Sequence, residues 1–132
     1  MTIVAAYIAT LIAFVGLDMV WLALMVNRVY RPVIGDLLAA SVNLPAALVF
    51  YLLFPVGLTI FATLPAVKLH SLADAALYGA LFGLFAYATY DLTNQATVRG
   101  WTTQLSLIDM AWGFALSGAA ATVGFLAAQR FR

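Results

Sequence analysis

Four long apolar stretches dominate the sequence and leave little choice of fold. A helix rises about 1.5 Å per residue, so each stretch can cross a hydrocarbon core of about 30 Å. Inside a bilayer the backbone must satisfy its own hydrogen bonds, which restricts spanning segments to helices and closed barrels. The sequence therefore predicts an all-α integral membrane four-helix bundle, with residues 1–132 as a single four-span transmembrane domain. The predicted spans are 3–26, 44–64, 73–92 and 105–128.

Composition excludes several classes of membrane protein and of partner. Charged residues make up only 8% of the chain and the net charge is +1, which gives no reason to expect nucleic acid. The absence of cysteine excludes a thiol-based oxidoreductase, and the single histidine, His70, cannot supply the paired axial ligands of a membrane haem. We expect no cofactor and no bound metal. The expected partners are membrane lipid, a small-molecule ligand, a second copy of the chain or a larger membrane complex.

Prolines set the expected breaks in the helices. Pro32 and Pro65 are predicted to end spans 1 and 2, because proline lacks a backbone donor. Apolar residues at helical intervals within 33–41 predict a short interfacial helix between these spans. Pro55 lies in the middle of span 2, where it predicts a kink that frees the carbonyl of Tyr51 for a neighbouring helix.

Capping residues and small residues predict how the helices begin and pack. Asn43 has the form of an N-cap for span 2, and Ser71 with Asp74 forms a capping box before span 3. Gly79 and Gly83 make a GxxxG pattern that lets two helix backbones approach closely. A matching series of small residues lies on span 4, so spans 3 and 4 are predicted to pack tightly, within one chain or across a dimer. That series is Gly113, Ser117 and Ala121.

Three aspartates lie in or at the ends of the predicted spans. A carboxylate in hydrocarbon costs from about 2.5 kcal/mol to more than about 10 kcal/mol, so each needs a partner, a proton or a polar pocket. Asp18 and Asp109 head the same short motif, Asp-Met-x-Trp, which ends in Trp21 and Trp112. Because successive spans cross in opposite directions, the two carboxylates and Asp91 are expected near one leaflet at similar depth.

These features predict a polar pocket near that leaflet. On span 3, Tyr87, Tyr90, Asp91 and Asn94 fall on one helical face that points at the other two aspartates. No catalytic residue and no metal ligand are assigned. The predicted ligand-binding residues are Asp18, Trp21, Tyr90, Asp91, Asn94, Thr97, Trp101, Asp109 and Trp112. The predicted ion-pair partners of the aspartates are Arg28, Arg31 and Arg99.

Structural roles remain open for two of these residues. Ser106 and Asp109 also have the spacing of a capping box at a helix start. Trp101 is equally typical of the aromatic belt at headgroup depth.

Part of the sequence resembles a known family. The run Tyr90-Asp91-Leu92-Thr93-Asn94-Gln95-Ala96-Thr97, then Trp101 and the phrase Asp109-Met110-Ala111-Trp112-Gly113, resembles family 2177 of the domains of unknown function. These are small four-helix bacterial membrane proteins, and the similarity extends over nearly the whole chain. The resemblance implies a multi-pass protein of the bacterial inner membrane and carries no established activity.

Three functions are consistent with this pattern. The first is binding or transport of a small polar ligand or a lipid headgroup at the aspartates, with exchange of a proton. The second is a metal-dependent lipid-modifying enzyme, and the third is an accessory subunit whose buried Asp–Arg pairs fix its assembly. An intramembrane aspartyl protease matches weakly, because Tyr90-Asp91 resembles its first motif and Asp109 follows on the next span, but its second motif, Gly-x-Gly-Asp, is missing. Both termini are expected in the cytoplasm.

Overall fold

The computed structural model describes residues 1–132 and contains helices without any β-strand. Four helices are long and apolar enough to cross a membrane, which confirms the predicted all-α four-span architecture. Large apolar side chains are exposed along every span, as expected where hydrocarbon surrounds the bundle. We call the helices spans 1 to 4, and they cover Thr2–Leu37, Leu44–Leu69, Leu72–Thr97 and Thr103–Arg130.

Span 4 is the central helix of the bundle. It packs along spans 3 and 1, and it has the largest buried share of the four spans. The backbone of span 2 comes close to span 3 along its second part, Thr59–Leu69, whereas its first part, Leu44–Leu58, has its backbone beside span 1 and reaches span 3 through side chains such as Phe54. A gap therefore separates spans 2 and 3 toward the end of the bundle that carries residues 38–43 and 98–102. We call this the open end, and the opposite end, with the chain termini, the closed end.

Small residues let spans 3 and 4 approach closely. A Cβ atom on Gly83 would overlap with the carbonyl oxygen of Gly113 and with the side chain of Ser117. A Cβ atom on Gly79 would lie 2.5 Å from the Cβ of Ala121. The predicted small-residue seam is therefore confirmed, and it joins two spans of one chain.

The prediction that Pro32 and Pro65 end spans 1 and 2 is wrong. Each proline follows a π-helical segment, Val26–Tyr30 in span 1 and Thr59–Thr63 in span 2. At the end of each segment a backbone N–H bonds to the carbonyl five residues back, which adds one residue to the turn. Each proline then lies in the first turn of the next α-helical segment, where its missing N–H breaks no bond.

Span 1 consequently extends beyond its predicted end. It continues through Pro32 as an α-helical turn, Arg31–Ile34, and a 3-10 turn, Gly35–Leu37. The short helix predicted within 33–41 is thus present in part, but it is continuous with span 1. Leu38, with extended backbone at ψ 133°, follows it.

Side-chain hydroxyls donate to backbone carbonyls on both sides of Pro55, which lies inside the α-helical part of span 2. The hydroxyl of Tyr7 in span 1 donates to the carbonyl of Leu52 at 3.0 Å, one residue after the Tyr51 carbonyl that the prediction named. The hydroxyl of Thr59 donates to the carbonyl of Pro55 at 2.8 Å. Such contacts are a common way in which membrane helices tolerate an internal proline.

The predicted caps of spans 2 and 3 are confirmed. The side-chain oxygen of Asn43 accepts a hydrogen bond from the backbone N–H of Ala46 at 3.3 Å. The hydroxyl oxygen of Ser71 accepts one from the backbone N–H of Asp74 at 3.1 Å. Both contacts satisfy donors that a helix start leaves without an intrahelical partner.

The seam predicts a difference between two glycine-to-alanine variants. Gly83→Ala should lower the thermal unfolding temperature in detergent, because the new methyl group overlaps with span 4 and overpacking costs about 1–3 kcal/mol. Gly16→Ala is the matched control, since a Cβ there meets nothing within 4 Å. It should be neutral or stabilising, because alanine favours a helix interior by about 0.5–1 kcal/mol. Equal unfolding temperatures for the two variants would contradict the seam.

Candidate functional site

A cavity of about 450 Å³ lies at the open end, between the separated parts of spans 2 and 3. All four spans contribute to its wall. This volume is within the range of small-molecule sites, about 300–1,000 Å³. Its lining residues are Asp18, Leu22, Tyr30, Phe50, Tyr51, Phe54, Ala86, Tyr87, Tyr90, Asp109 and Trp112.

Asp18 is the carboxylate that spans 2 and 4 hold in place. It is 6% exposed. One carboxyl oxygen accepts a hydrogen bond from the hydroxyl of Tyr51 at 2.5 Å, and the other accepts one from the indole N–H of Trp112 at 3.0 Å. Both donors are neutral, so they orient the carboxylate without cancelling its charge.

Asp109 is held through a chain of two hydrogen bonds from span 1. The hydroxyl of Tyr30 donates to its Oδ1 at 2.5 Å, and the indole N–H of Trp21 donates to the hydroxyl oxygen of Tyr30 at 2.9 Å. The rings of Trp21 and Trp112 stack with centroids 4.4 Å apart and an interplanar angle of 6°. The indole of each Asp-Met-x-Trp motif is therefore hydrogen-bonded toward the carboxyl group of the other motif. Trp112 bonds to Asp18 directly, and Trp21 is linked to Asp109 through Tyr30.

The capping interpretation of Asp109 is wrong. The N-cap of span 4 is Thr102, whose hydroxyl oxygen accepts a hydrogen bond from the backbone N–H of Leu105 at 3.1 Å. Ser106 lies within the helix, and its hydroxyl donates to the backbone carbonyl of Asp91 at 3.3 Å. Asp109 is the seventh residue of the span and projects into the cavity.

Asp91 lies beside the cavity and does not line it. The prediction put it at the end of span 3, but the helix continues to Thr97, so the carboxyl group lies inside the bundle. It is fully buried, and neither carboxyl oxygen has a hydrogen-bond donor in the chain.

The structure brings only some of the other predicted residues to the cavity. Tyr90 lines it, and its ring meets Trp101 edge to face at 5.7 Å. Trp101 donates to the hydroxyl of Ser106 at 3.0 Å. Thr97 is exposed and donates to a carbonyl of its own helix, and Asn94 does not contribute to the wall.

The three arginines named as ion-pair partners are not beside the aspartates. No arginine nitrogen lies within 4.0 Å of an aspartate oxygen anywhere in the chain. Arg28 lines a separate groove next to the start of span 4, together with Pro32 and Gln104. Arg31 and Arg99 are exposed. The cavity thus contains two carboxylates and no lysine, arginine or histidine.

Sequence reasoning identified Trp112, which donates to Asp18, but missed the tyrosine donors to the two aspartates. Tyr30 and Tyr51 were not assigned to the site, nor were Phe50 and Phe54, whose rings form part of the wall. The sequence does contain a signal for the two tyrosines, because a tyrosine hydroxyl within an apolar span needs a hydrogen-bond acceptor. The three aspartates were the strongest acceptors in the predicted spans.

The titratable groups do not form a metal site of the usual kind. The chain has no group of three or more His, Cys, Asp and Glu side chains that could hold a metal ion. The chemical character of the cavity is instead set by two carboxyl side chains among tyrosine, tryptophan and phenylalanine rings.

Four apolar spans around an acidic, aromatic cavity define a small multi-pass membrane protein. The chain belongs to the family described as "Predicted membrane protein (DUF2177)", whose model matches residues 3–126. The resemblance inferred from the sequence is confirmed. No curated protein and no solved structure matches the chain.

The stacked indoles give a spectroscopic prediction. The parent protein should show a near-ultraviolet circular dichroism signal that depends on Trp21 and Trp112 together, because two indoles held in contact couple their transitions. Trp112→Phe should abolish the coupled signal, whereas Trp101→Phe, the matched control, should retain it. A coupled signal that survives Trp112→Phe would show that the two indoles do not stack.

Proposed function

We propose that this protein binds a membrane-dissolved amphiphile with a cationic amine or ammonium head in the cavity. The observation that carries this proposal is the charge of the cavity, which contains Asp18 and Asp109 and no cation of the chain. An anionic head, such as a phosphate or sulfate, would face two carboxylates. A cationic head would find the counter-charge that the chain itself does not provide.

The aromatic wall supports the same ligand class. Ring faces attract cations, and the attraction grows to about 2 kcal/mol or more when water is excluded. Tyr51, Tyr87 and Trp112 line the cavity together with the two carboxylates. Quaternary ammonium groups are recognised by aromatic side chains of this kind, and the two carboxyl groups add counter-charge.

The gap between spans 2 and 3 supports an apolar tail on the ligand. Phe50 on span 2 is 40% exposed and Tyr90 on span 3 is 55% exposed, and both line the cavity. The opening therefore lies on the side of the bundle that faces hydrocarbon. A ligand dissolved in the membrane could enter there and leave its tail in the bilayer.

Packing at the closed end favours binding over transport. Gly124 of span 4 contacts Thr10 of span 1 so closely that a Cβ atom on it would overlap with the threonine hydroxyl. Ala6, Ala66 and Ala128 are fully buried in the same region. Passage to the other leaflet would require these helices to separate.

Two matched amphiphiles test the proposal. Octyltrimethylammonium should bind the parent protein in lipid nanodiscs and quench its tryptophan fluorescence, whereas octyl sulfate, with the same tail, should not. Asp18→Asn and Asp109→Asn should weaken ammonium binding about 10- to 100-fold, because a contact to a buried charge contributes about 1.5–3 kcal/mol. Asp36→Asn, which removes an exposed carboxylate outside the cavity, is the control.

Three results would contradict the proposal or redirect it. Equal binding of the two amphiphiles, or unchanged binding in both cavity variants, would rule out a cation site. An amine lipid that copurifies with the parent and is lost from Asp18→Asn would identify a lipid headgroup as the natural source of the cation. A retained protein partner without any ligand would favour an accessory subunit instead.

We also propose an orientation in a bacterial inner membrane, with both termini in the cytoplasm and the cavity at the outer leaflet. Lys68, Arg130 and Arg132 gather at the closed end, where Arg132 contacts the ring of His70. Cytoplasmic loops carry an excess of such cations. The open end also carries three such cations, Arg28, Arg31 and Arg99, so His70 and the basic C-terminus decide the choice.

Reporter fusions after Arg132 test the orientation. A fluorescent protein that matures only in the cytoplasm should be bright at this position, and an alkaline phosphatase fusion should be inactive. The reverse pattern would place the termini outside and the cavity at the inner leaflet.

A further inference from the structure

Asp91 is a buried acid that the cavity does not use. Its side chain is fully buried within span 3, and neither of its carboxyl oxygens has a donor in the chain. A buried carboxylate without donors is among the least favourable groups that a bilayer can contain. Its surroundings must therefore favour the protonated carboxylic acid over the carboxylate.

Asp109 is the group that faces Asp91. Ser106 of span 4 contacts the backbone carbonyl of Asp91 at 3.3 Å, and Asp109 lies one turn further along the same helix, so the two carboxyl groups are neighbours across the contact between spans 3 and 4. Because the hydroxyl of Tyr30 donates to Oδ1 of Asp109, the second oxygen of Asp109 is left free for Asp91. The two side chains therefore form a pair at the contact between spans 3 and 4.

The other polar groups near the pair are directed elsewhere. The hydroxyl of Ser106 donates to the backbone carbonyl of Asp91, and not to its carboxyl group. The side-chain nitrogen of Gln95, one turn further along span 3, donates to Thr103 at 2.7 Å. The titratable groups that face Asp91 are Asp109 from span 4 and Tyr90 from its own span, and no arginine lies within ion-pair distance.

Two ionised carboxylates cannot make a hydrogen bond, because both are acceptors only. If one of them carries a proton, its O–H can donate to the other, and the two buried like charges become one. Close carboxyl groups titrate as a unit, so the proton belongs to the pair. Without a nearby cation, a shared proton is the arrangement that leaves the fewest unsatisfied groups.

We propose that Asp91 and Asp109 share one proton and form a buried proton-binding site between spans 3 and 4, directly behind the ligand cavity. The pair then carries a single negative charge. Asp109 connects the two sites, because it faces the cavity on one side and Asp91 on the other. This proton site stands whether or not an amphiphile binds in the cavity.

Infrared spectroscopy with labelled aspartate tests the proton site. The chain contains five acidic side chains, all of them aspartate, so a ¹³C-carboxyl label on aspartate reports only these groups. The parent protein in nanodiscs at neutral pH should show one carboxylic acid C=O band that shifts with the label and in heavy water. Asp91→Asn should abolish the band, because an amide N–H can replace the O–H donor to an ionised Asp109.

Further variants assign the band and keep the test decisive. Asp18→Asn and Asp36→Asn should retain it. Asp109→Asn should retain it at a shifted frequency, because Asp91 then donates to an amide oxygen. The absence of an acid band in the parent, or a band unchanged in both Asp91→Asn and Asp109→Asn, would overturn the proposal. A carboxylate signal that changes with sodium concentration, without an acid band, would do the same and would indicate a bound cation between the two groups.

Discussion

Placing carboxylates within a bilayer is the constraint on which the open end of this protein depends. An ionised carboxylate there depends on hydrogen bonds from the protein, since hydrocarbon offers none. The donors to Asp18 come from spans 2 and 4, and the donor to Asp109 comes from the π-helical segment of span 1. The bond from Tyr51 therefore ties the first part of span 2 to the bundle where its backbone stands apart from span 3. The acids both charge the cavity and hold its walls in position.

The two ends of the bundle are built by different means. At the closed end small residues bring backbones together, as at Gly79 and Gly124. Toward the open end aromatic side chains separate them, and the ring of Tyr87 fills the space above Gly113. Phe54 bridges spans 2 and 3, with centroids 5.3 Å from Phe82. The change from small residues to rings along the same helices thus coincides with the change from a packed seam to a cavity.

Sequence patterns predicted the spans, the small-residue seam and the caps, because each depends on local periodicity or on a single turn of helix. The predicted helix ends at Pro32 and Pro65 were wrong, because proline is a strong helix-breaking signal in a sequence, whereas the π-helical segment before it has no comparable sequence signal. Sequence patterns also failed at Tyr30 and Tyr51. Each of these residues reaches an aspartate of a different span, and such contacts are set by packing between helices and not by spacing along one.

The repeated Asp-Met-x-Trp motif shows how a local pattern becomes a site. Spans 1 and 4 are antiparallel, and in each motif the tryptophan lies three residues, about 4.5 Å, after the aspartate. Trp21 is therefore nearer the open end than Asp18, whereas Trp112 is nearer the closed end than Asp109. The two indoles therefore meet between the two acids, where they stack, and each is directed toward the acid of the other span. Trp112 reaches Asp18 directly. The opposite contact needs Tyr30 as a bridge, and this asymmetry leaves one oxygen of Asp109 to face Asp91.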